Sequence, residues 1–261
     1  MNRSLPALVT AAALLLGGTI VALPSASATA ATTGTVVYYS NPFDDRLMAV
    51  RPGDTSLDSY GATFDEWRAD GFPTPVPAKV AYIGYTWEPT IWADETFGPF
   101  TSTRMLDFDR WTHAGQPAPR SDQLAYQHEV IRYDGSDELF VIEGASFTDE
   151  PGFHKLTYRE YASIGSPPVD RVLETEFRKL AWYPAIVGPK DFTGEVGVMD
   201  FAVWDYYARP TPQVVASFPG DRFCQAPGSA DIHYFGDAAP RGAQLSFGQW
   251  RDAGSPHPAR C

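Results

Sequence analysis

One motif recurs five times along the chain, and it constrains the fold more than any other feature. Each copy reads apolar, Thr/Ser/Asp, Phe/Tyr, two variable residues, Trp/Tyr, three variable residues, Gly, one variable residue, then Pro-x-Pro. The copies run over 62–75, 106–119, 156–168, 199–212 and 245–258. Their Trp/Tyr positions, Trp67, Trp111, Tyr161, Trp204 and Trp250, are spaced by 44, 50, 43 and 46 residues. A near-constant period of this length marks a protein built from stacked supersecondary units, because one such unit cannot bury its own apolar face.

The motif states its own local structure. Thr63, Asp107, Thr157, Asp200 and Ser246 each place a side-chain oxygen where a helix N-cap belongs. The six or seven residues that follow make about two helical turns. Gly71, Gly115, Gly165 and Gly254 stand at the helix C′ position, where a positive φ is cheap only for glycine. The Pro-x-Pro that follows cannot continue a helix and forces an extended exit. Phe/Tyr and Trp/Tyr three residues apart share one helical face, so the five Trp/Tyr residues are expected to anchor each helix on its sheet. The fourth copy has Ala208 in place of Gly, which leaves its helix end open, and the third has Val169 in place of the last Pro.

The remaining ~30 residues of each unit read as short strands rich in Val, Ile and aromatics, separated by turn formers such as Asp134-Gly135-Ser136 and Pro219-Gly220-Asp221. The expected strands include Val36–Tyr39, Leu47–Val50, Val80–Tyr85, Glu129–Tyr133, Leu139–Glu143, Val172–Phe177 and Gln213–Ser217. The expected fold is therefore mainly β, with one short helix in each of five repeats of about 45 residues. The units fall at about 35–78, 79–122, 123–170, 171–213 and 214–261 of a single domain covering 31–261. A closed five-bladed, propeller-like ring would spare the sheets their exposed edges, and an open stack of repeats is the alternative. The motif resembles a group of secreted actinobacterial proteins with tandem Leu-Thr-x-x-x-Trp…Gly-x-Pro-x-Pro units. In period the chain is also similar to five-bladed propeller lectins. Neither resemblance carries catalytic residues to this chain.

Residues 1–30 read as a cleaved secretory leader. Arg3 is followed by an uncharged Ala/Leu-rich run, and Ala26-Ser27-Ala28 and Ala28-Thr29-Ala30 are small-x-small cleavage sites. No later stretch approaches 18 apolar residues, so no membrane span is expected in the mature chain. Cys224 and Cys261 are the two cysteines, and an extracellular chain pairs them. The chain has 20 Lys+Arg against 32 Asp+Glu; without the leader and its single charge the balance is 19 to 32, a net −13. Such a surface is a poor partner for nucleic acid or an anionic membrane.

No residues stand in a recognisable catalytic or cofactor constellation: there is no nucleophile elbow, HExxH, P-loop, GxGxxG or EF-hand loop. The five histidines, His113, His128, His154, His233 and His257, show no helical i, i+4 pair, so no metal site is expected. Asp134, Asp137 and Glu138 read as a hairpin turn before a calcium site. Carboxylates are abundant enough for a glycosidase pair, but nothing in the sequence selects two of them. Trp87, Trp92 and Trp182 lie in strand–turn segments and are the candidate ligand-stacking residues, with Trp87 and Trp182 sharing a Trp-x-Pro-x-Ile pattern. The expected protein is a secreted, monomeric, non-catalytic module without cofactor, binding an extracellular glycan or protein. A secreted hydrolase and an extracellular inhibitor are the alternatives. A surface aromatic repeated in every unit would favour the binding module.

Overall fold

The computed structural model describes residues 35–55, 61–144, 152–190 and 195–261. The expected leader lies outside these residues. The described chain forms five small sheets and five six-residue helices, one helix to a sheet. Unit one holds β1 (Val37–Asn41), β2 (Asp44–Val50), β3 (Gly61–Ala62), α1 (Phe64–Ala69) and β4 (Val76–Pro77). Unit two holds β5 (Lys79–Gly84), β6 (Ile91–Phe97), β7 (Phe100–Leu106) and α2 (Phe108–His113). Unit three holds β8 (Glu129–Tyr133), β9 (Leu139–Glu143), β10 (Gly152–Lys155), α3 (Tyr158–Ser163) and β11 (Arg171–Leu173). Unit four holds β12 (Arg178–Leu180), β13 (Ile186–Pro189), β14 (Val196–Val198), α4 (Phe201–Tyr206) and β15 (Gln213–Val215). Unit five holds β16 (Arg222–Gln225), β17 (Ile232–Gly236), β18 (Ala239–Leu245), α5 (Phe247–Asp252) and β19 (Ala259–Arg260).

Every unit follows one path. Three strands form an antiparallel meander, the helix follows the third strand, and the extended exit returns to pair in parallel with the first strand. The strand order in four of the sheets is therefore third, second, first, exit. In unit two the exit makes a single parallel bridge, Ile83 to Arg120. A parallel partner needs a crossover, and the helix is that crossover. This moves two of the expected boundaries. Val172 and Leu173 are the exit of unit three, and Gln213–Val215 is the exit of unit four. Pro-x-Pro extends the chain as expected, but the extension completes its own sheet before the next one starts.

The helices form as the motif dictates. Thr63, Asp107, Thr157, Asp200 and Ser246 each accept a hydrogen bond from the backbone amide three residues on. In units one, three and five, Glu66, Glu160 and Gln249 reach back to the cap amide and close a capping box. At the other end all five helices close with the same paired bonds: Phe72, Gln116, Ser166, Arg209 and Ser255 donate to the carbonyls of Trp67, Trp111, Tyr161, Trp204 and Trp250. One further bond then fixes the exit. The indole Nε1 of Trp67, Trp111, Trp204 and Trp250 donates to the carbonyl of Pro73, Pro117, Pro210 and Pro256, at 2.8–3.0 Å. In unit three the Tyr161 hydroxyl donates to the Pro167 carbonyl at 2.7 Å. The aromatic slot thus clamps the first proline of its own Pro-x-Pro. These five rings are half-buried, because the ring edge must reach an exit strand at the surface, and Tyr161, Trp204 and Trp250 also pack against core clusters.

Neighbouring units are joined by apolar knobs. Phe43 of unit one packs on Ala93, Leu106 and Ala114 of unit two. Trp87 of unit two packs against a cluster with Leu156, Tyr161 and Ile164 of unit three. Tyr133 of unit three packs with Phe177, Met199, Val203 and Tyr207 of unit four. Trp182 of unit four packs with Tyr234, Leu245, Trp250 and Ala253 of unit five. Among the described residues, each hydrogen bond, ion pair, ring contact and core cluster that links two units links successive ones, and none links the first to the fifth. The closed ring expected from the period is not seen among these residues. The Cys224–Cys261 disulfide is formed, with Cα atoms 5.0 Å apart, and Cys261 N donates to Gln225 O. It staples the exit of unit five to that unit's own first strand.

Ala208 shows how firmly the helix end is held. It takes φ +58° at the position where the other four units have glycine. A left-handed conformation costs a non-glycine residue about 1–2 kcal/mol. Ala208→Gly should therefore raise the stability of the chain by about 0.5–1 kcal/mol, after subtraction of glycine's extra freedom in the unfolded state. A shift of the urea midpoint to higher concentration checks this.

Candidate functional site

The residues that vary least in their setting are not the expected tryptophans but the first residue of each helix. Phe64, Phe108, Tyr158, Phe201 and Phe247 directly follow the five N-caps and are between 62% and 85% exposed. A side chain at this position points back beyond the helix start into solvent. Four of the rings rest against the clamping indole three residues on, with centroids 5.8–6.3 Å apart and planes tilted. Each indole is itself held by its proline carbonyl, so the exposed ring has a fixed support. The result is one exposed ring per unit, five in all, four of them backed in this way.

Charge around the platforms is balanced or negative. Arg68 pairs with Asp65, Arg110 with Asp107, Arg209 with Asp205 and Arg251 with Asp252, at 2.5–2.9 Å. No helix carries a net positive charge from its N-cap to its C-cap. The guanidinium groups of Arg68 and Arg209 also lie over the rings of Phe64 and Phe201, at 5.8 and 5.4 Å from the centroids.

The expected stacking residues lie elsewhere. Trp92 and Trp182 are buried at the second and fourth joints. Trp182 meets Tyr234 edge-on at 5.0 Å. Trp87 is half-buried and sandwiched between the parallel rings of Tyr85 and His154, at 4.4 and 4.8 Å. These three indoles hold units together and are not free to stack on a ligand. The sequence places them in strand–turn segments, and the next unit in the fold covers them. Glu138 is likewise occupied: it accepts from the Thr211 amide and hydroxyl at 2.8 and 2.6 Å and pairs with Lys155.

The joint between units two and three holds a buried imidazole and a buried carboxylate whose titration is shifted. Trp92 Nε1 donates to Glu88 at 2.6 Å, and His128 Nδ1 lies 2.9 Å from the Tyr85 hydroxyl. Burial pushes the His128 imidazole down to about 4, so it stays neutral at ordinary pH. Glu143 is pushed up to about 7, first by burial and then by the neighbouring Glu88 carboxylate, against a lowering contact from Trp87. Among the described residues no group of three or more His, Cys, Asp or Glu side chains is placed to hold a metal ion. No helix among them is long and apolar enough to cross a membrane. No family model matches the chain, and no curated protein or solved structure matches it.

Glu143 sets a pH dependence whose sign is fixed. Its folded pKa lies above the ordinary glutamate value of 4.5, so its contribution to stability is full below 4.5 and is lost as pH rises through 7. His128 acts in the opposite sense, removing stability as pH falls from 6.5 towards 4. Between pH 6.5 and 8 the relief of the remaining His128 penalty is the smaller effect, because its unfolded imidazole is already half deprotonated at 6.5, and the Glu143 loss outweighs it. The urea midpoint should therefore be lower at pH 8 than at pH 6.5, and Glu143→Gln should remove most of that difference.

Proposed function

We propose that the protein is a secreted, non-catalytic binding module that engages a neutral glycan through its five aromatic platforms. The observation that carries this reading is the recurrence of an exposed ring at the same helical position in every unit. Evenly repeated platforms suit a ligand that is itself repetitive, and aromatic faces stack well on the C–H faces of sugars. The charge balance supports a neutral ligand: a mature chain of net −13 with no positive platform repels a polyanion. Secretion is supported by the leader-like residues 1–30 and by the disulfide. We also read the five units as an open array, a reading supported by contacts that, among the described residues, run between successive units. In that arrangement the platforms are presented in series along the chain.

Binding of the mature protein to a panel of neutral and anionic polysaccharides tests the reading. Affinity for a neutral polymer should be little affected by salt, since no ion pairs form with it. Alanine at any one of Phe64, Phe108, Tyr158, Phe201 or Phe247 should weaken binding about fivefold, equivalent to ~1 kcal/mol per stacking contact. Replacing all five should abolish binding, because the contacts act together through effective concentration. Retention of wild-type affinity by the fivefold variant would overturn the assignment. Reducing-end analysis of the same incubations addresses the hydrolase reading, for which the adjacent carboxylates Glu88 and Glu143 are the supporting observation.

A further inference from the structure

The four joints share one geometry, and units one and five depart from it in matching ways. At each joint an aromatic knob from the first hairpin of one unit, Phe43, Trp87, Tyr133 or Trp182, meets a socket on the next. Two positions recur in every socket. One is the apolar residue just before the N-cap: Leu106, Leu156, Met199 and Leu245. The other is the helix C-cap: Ala114, Ile164, Tyr207 and Ala253.

Unit one has the same two positions, and among the described residues no knob docks there. Its residue before the N-cap is Ala62, which cannot supply the apolar wall that Leu or Met does. Its C-cap is Asp70, an exposed acid where the other units have an apolar residue. The buried Tyr38 turns its hydroxyl onto Asp70 Oδ2 at 2.7 Å, so unit one satisfies this group internally. A knob docking on unit one would bury a carboxylate, which is costly without a compensating partner.

Unit five lacks the complementary part. The connection between β16 and β17 is Ala226-Pro227-Gly228-Ser229-Ala230-Asp231, without an aromatic residue. It closes on itself, through Gln225 Nε2 to Ser229 O at 2.8 Å and Asp231 N to Ser229 Oγ at 3.0 Å. The end of the chain behind it is held by the Cys224–Cys261 bond.

We infer that units one and five are end caps, which stop the array from extending head-to-tail onto a second copy of the chain. Knob-and-socket joints are heterologous, so unmodified ends would generate filaments or rings. Repeat arrays meet the same need with terminal units whose outer face is polar. The inference rests on the open-array reading above and is independent of any glycan, since its test reads only mass and shape.

The mature wild-type protein should remain monomeric by light scattering across a wide concentration range. Two variants restore the ends separately. One is Ala62→Leu with Asp70→Ala, and the other replaces Ala226–Asp231 by the Ala181–Ala185 sequence with its Trp182. Each alone should stay monomeric, and an equimolar mixture should form heterodimers. A chain carrying both changes should form longer species that grow with concentration. Circular dichroism and thermal midpoints of the variants confirm that each is folded. Head-to-tail association of the wild type would overturn the inference. So would folded variants that fail to associate, and small-angle scattering from a closed ring would explain that failure.

Discussion

The fold depends on one short-range bond repeated five times: an aromatic donor on the helix holds the carbonyl of the proline six residues later. The helix alone is too short to be stable in water. Its N-cap, its paired C-terminal bonds and this clamp hold it together as a unit. The clamp also aims the chain. Proline cannot donate to a ladder, so the exit cannot be recruited as an interior strand, and it pairs in parallel with the first strand over only one to three residues. Tyr161 shows that the donor matters more than the ring type, since a phenol in the indole's place makes the same bond.

Everything larger is assembled from units closed in this way. Because each sheet is completed by its own exit strand, no strand is exchanged between units among the described residues, and side chains make the joints. The first joint is partly polar: Glu95 is fully buried and is matched by Arg104 at 2.8 Å and Asn41 at 3.2 Å. The third and fourth rest on nested aromatic rings. The same clamp sets the functional surface. With the indole edge committed to the proline carbonyl, the neighbouring ring at the helix start is left outside, supported from beneath and open to solvent.

What could be read in the sequence follows the range of the interactions. The N-caps, the glycine turns, the extended exits and the cysteine pair are local or have only one possible partner, and each was legible. The parallel return of the exit was not, because residues such as Val172 and Val214 look the same whether they end one sheet or begin the next. The packing of Trp87, Trp92 and Trp182 was not legible for the same reason: partners such as His154 and Tyr234 lie tens of residues away. The exposed Phe and Tyr were hidden within a correct observation. Spacing put them on one helical face with the tryptophans, and only the hydrogen bond to proline shows that the two rings divide the work.

The clamp is tested most directly by Trp111→Phe, which keeps an aromatic ring and deletes the N–H. Gly84 N donates to Arg120 O and Arg120 N to Tyr82 O, both at 2.8 Å, so these two amides report on the exit of unit two. The measurement is native-state hydrogen exchange, read residue by residue alongside the urea midpoint. Exchange at Gly84 and Arg120 should be faster than at the corresponding ladders of the other units, with a loss of about 1 kcal/mol. Unchanged exchange at both amides together with an unchanged midpoint would contradict it.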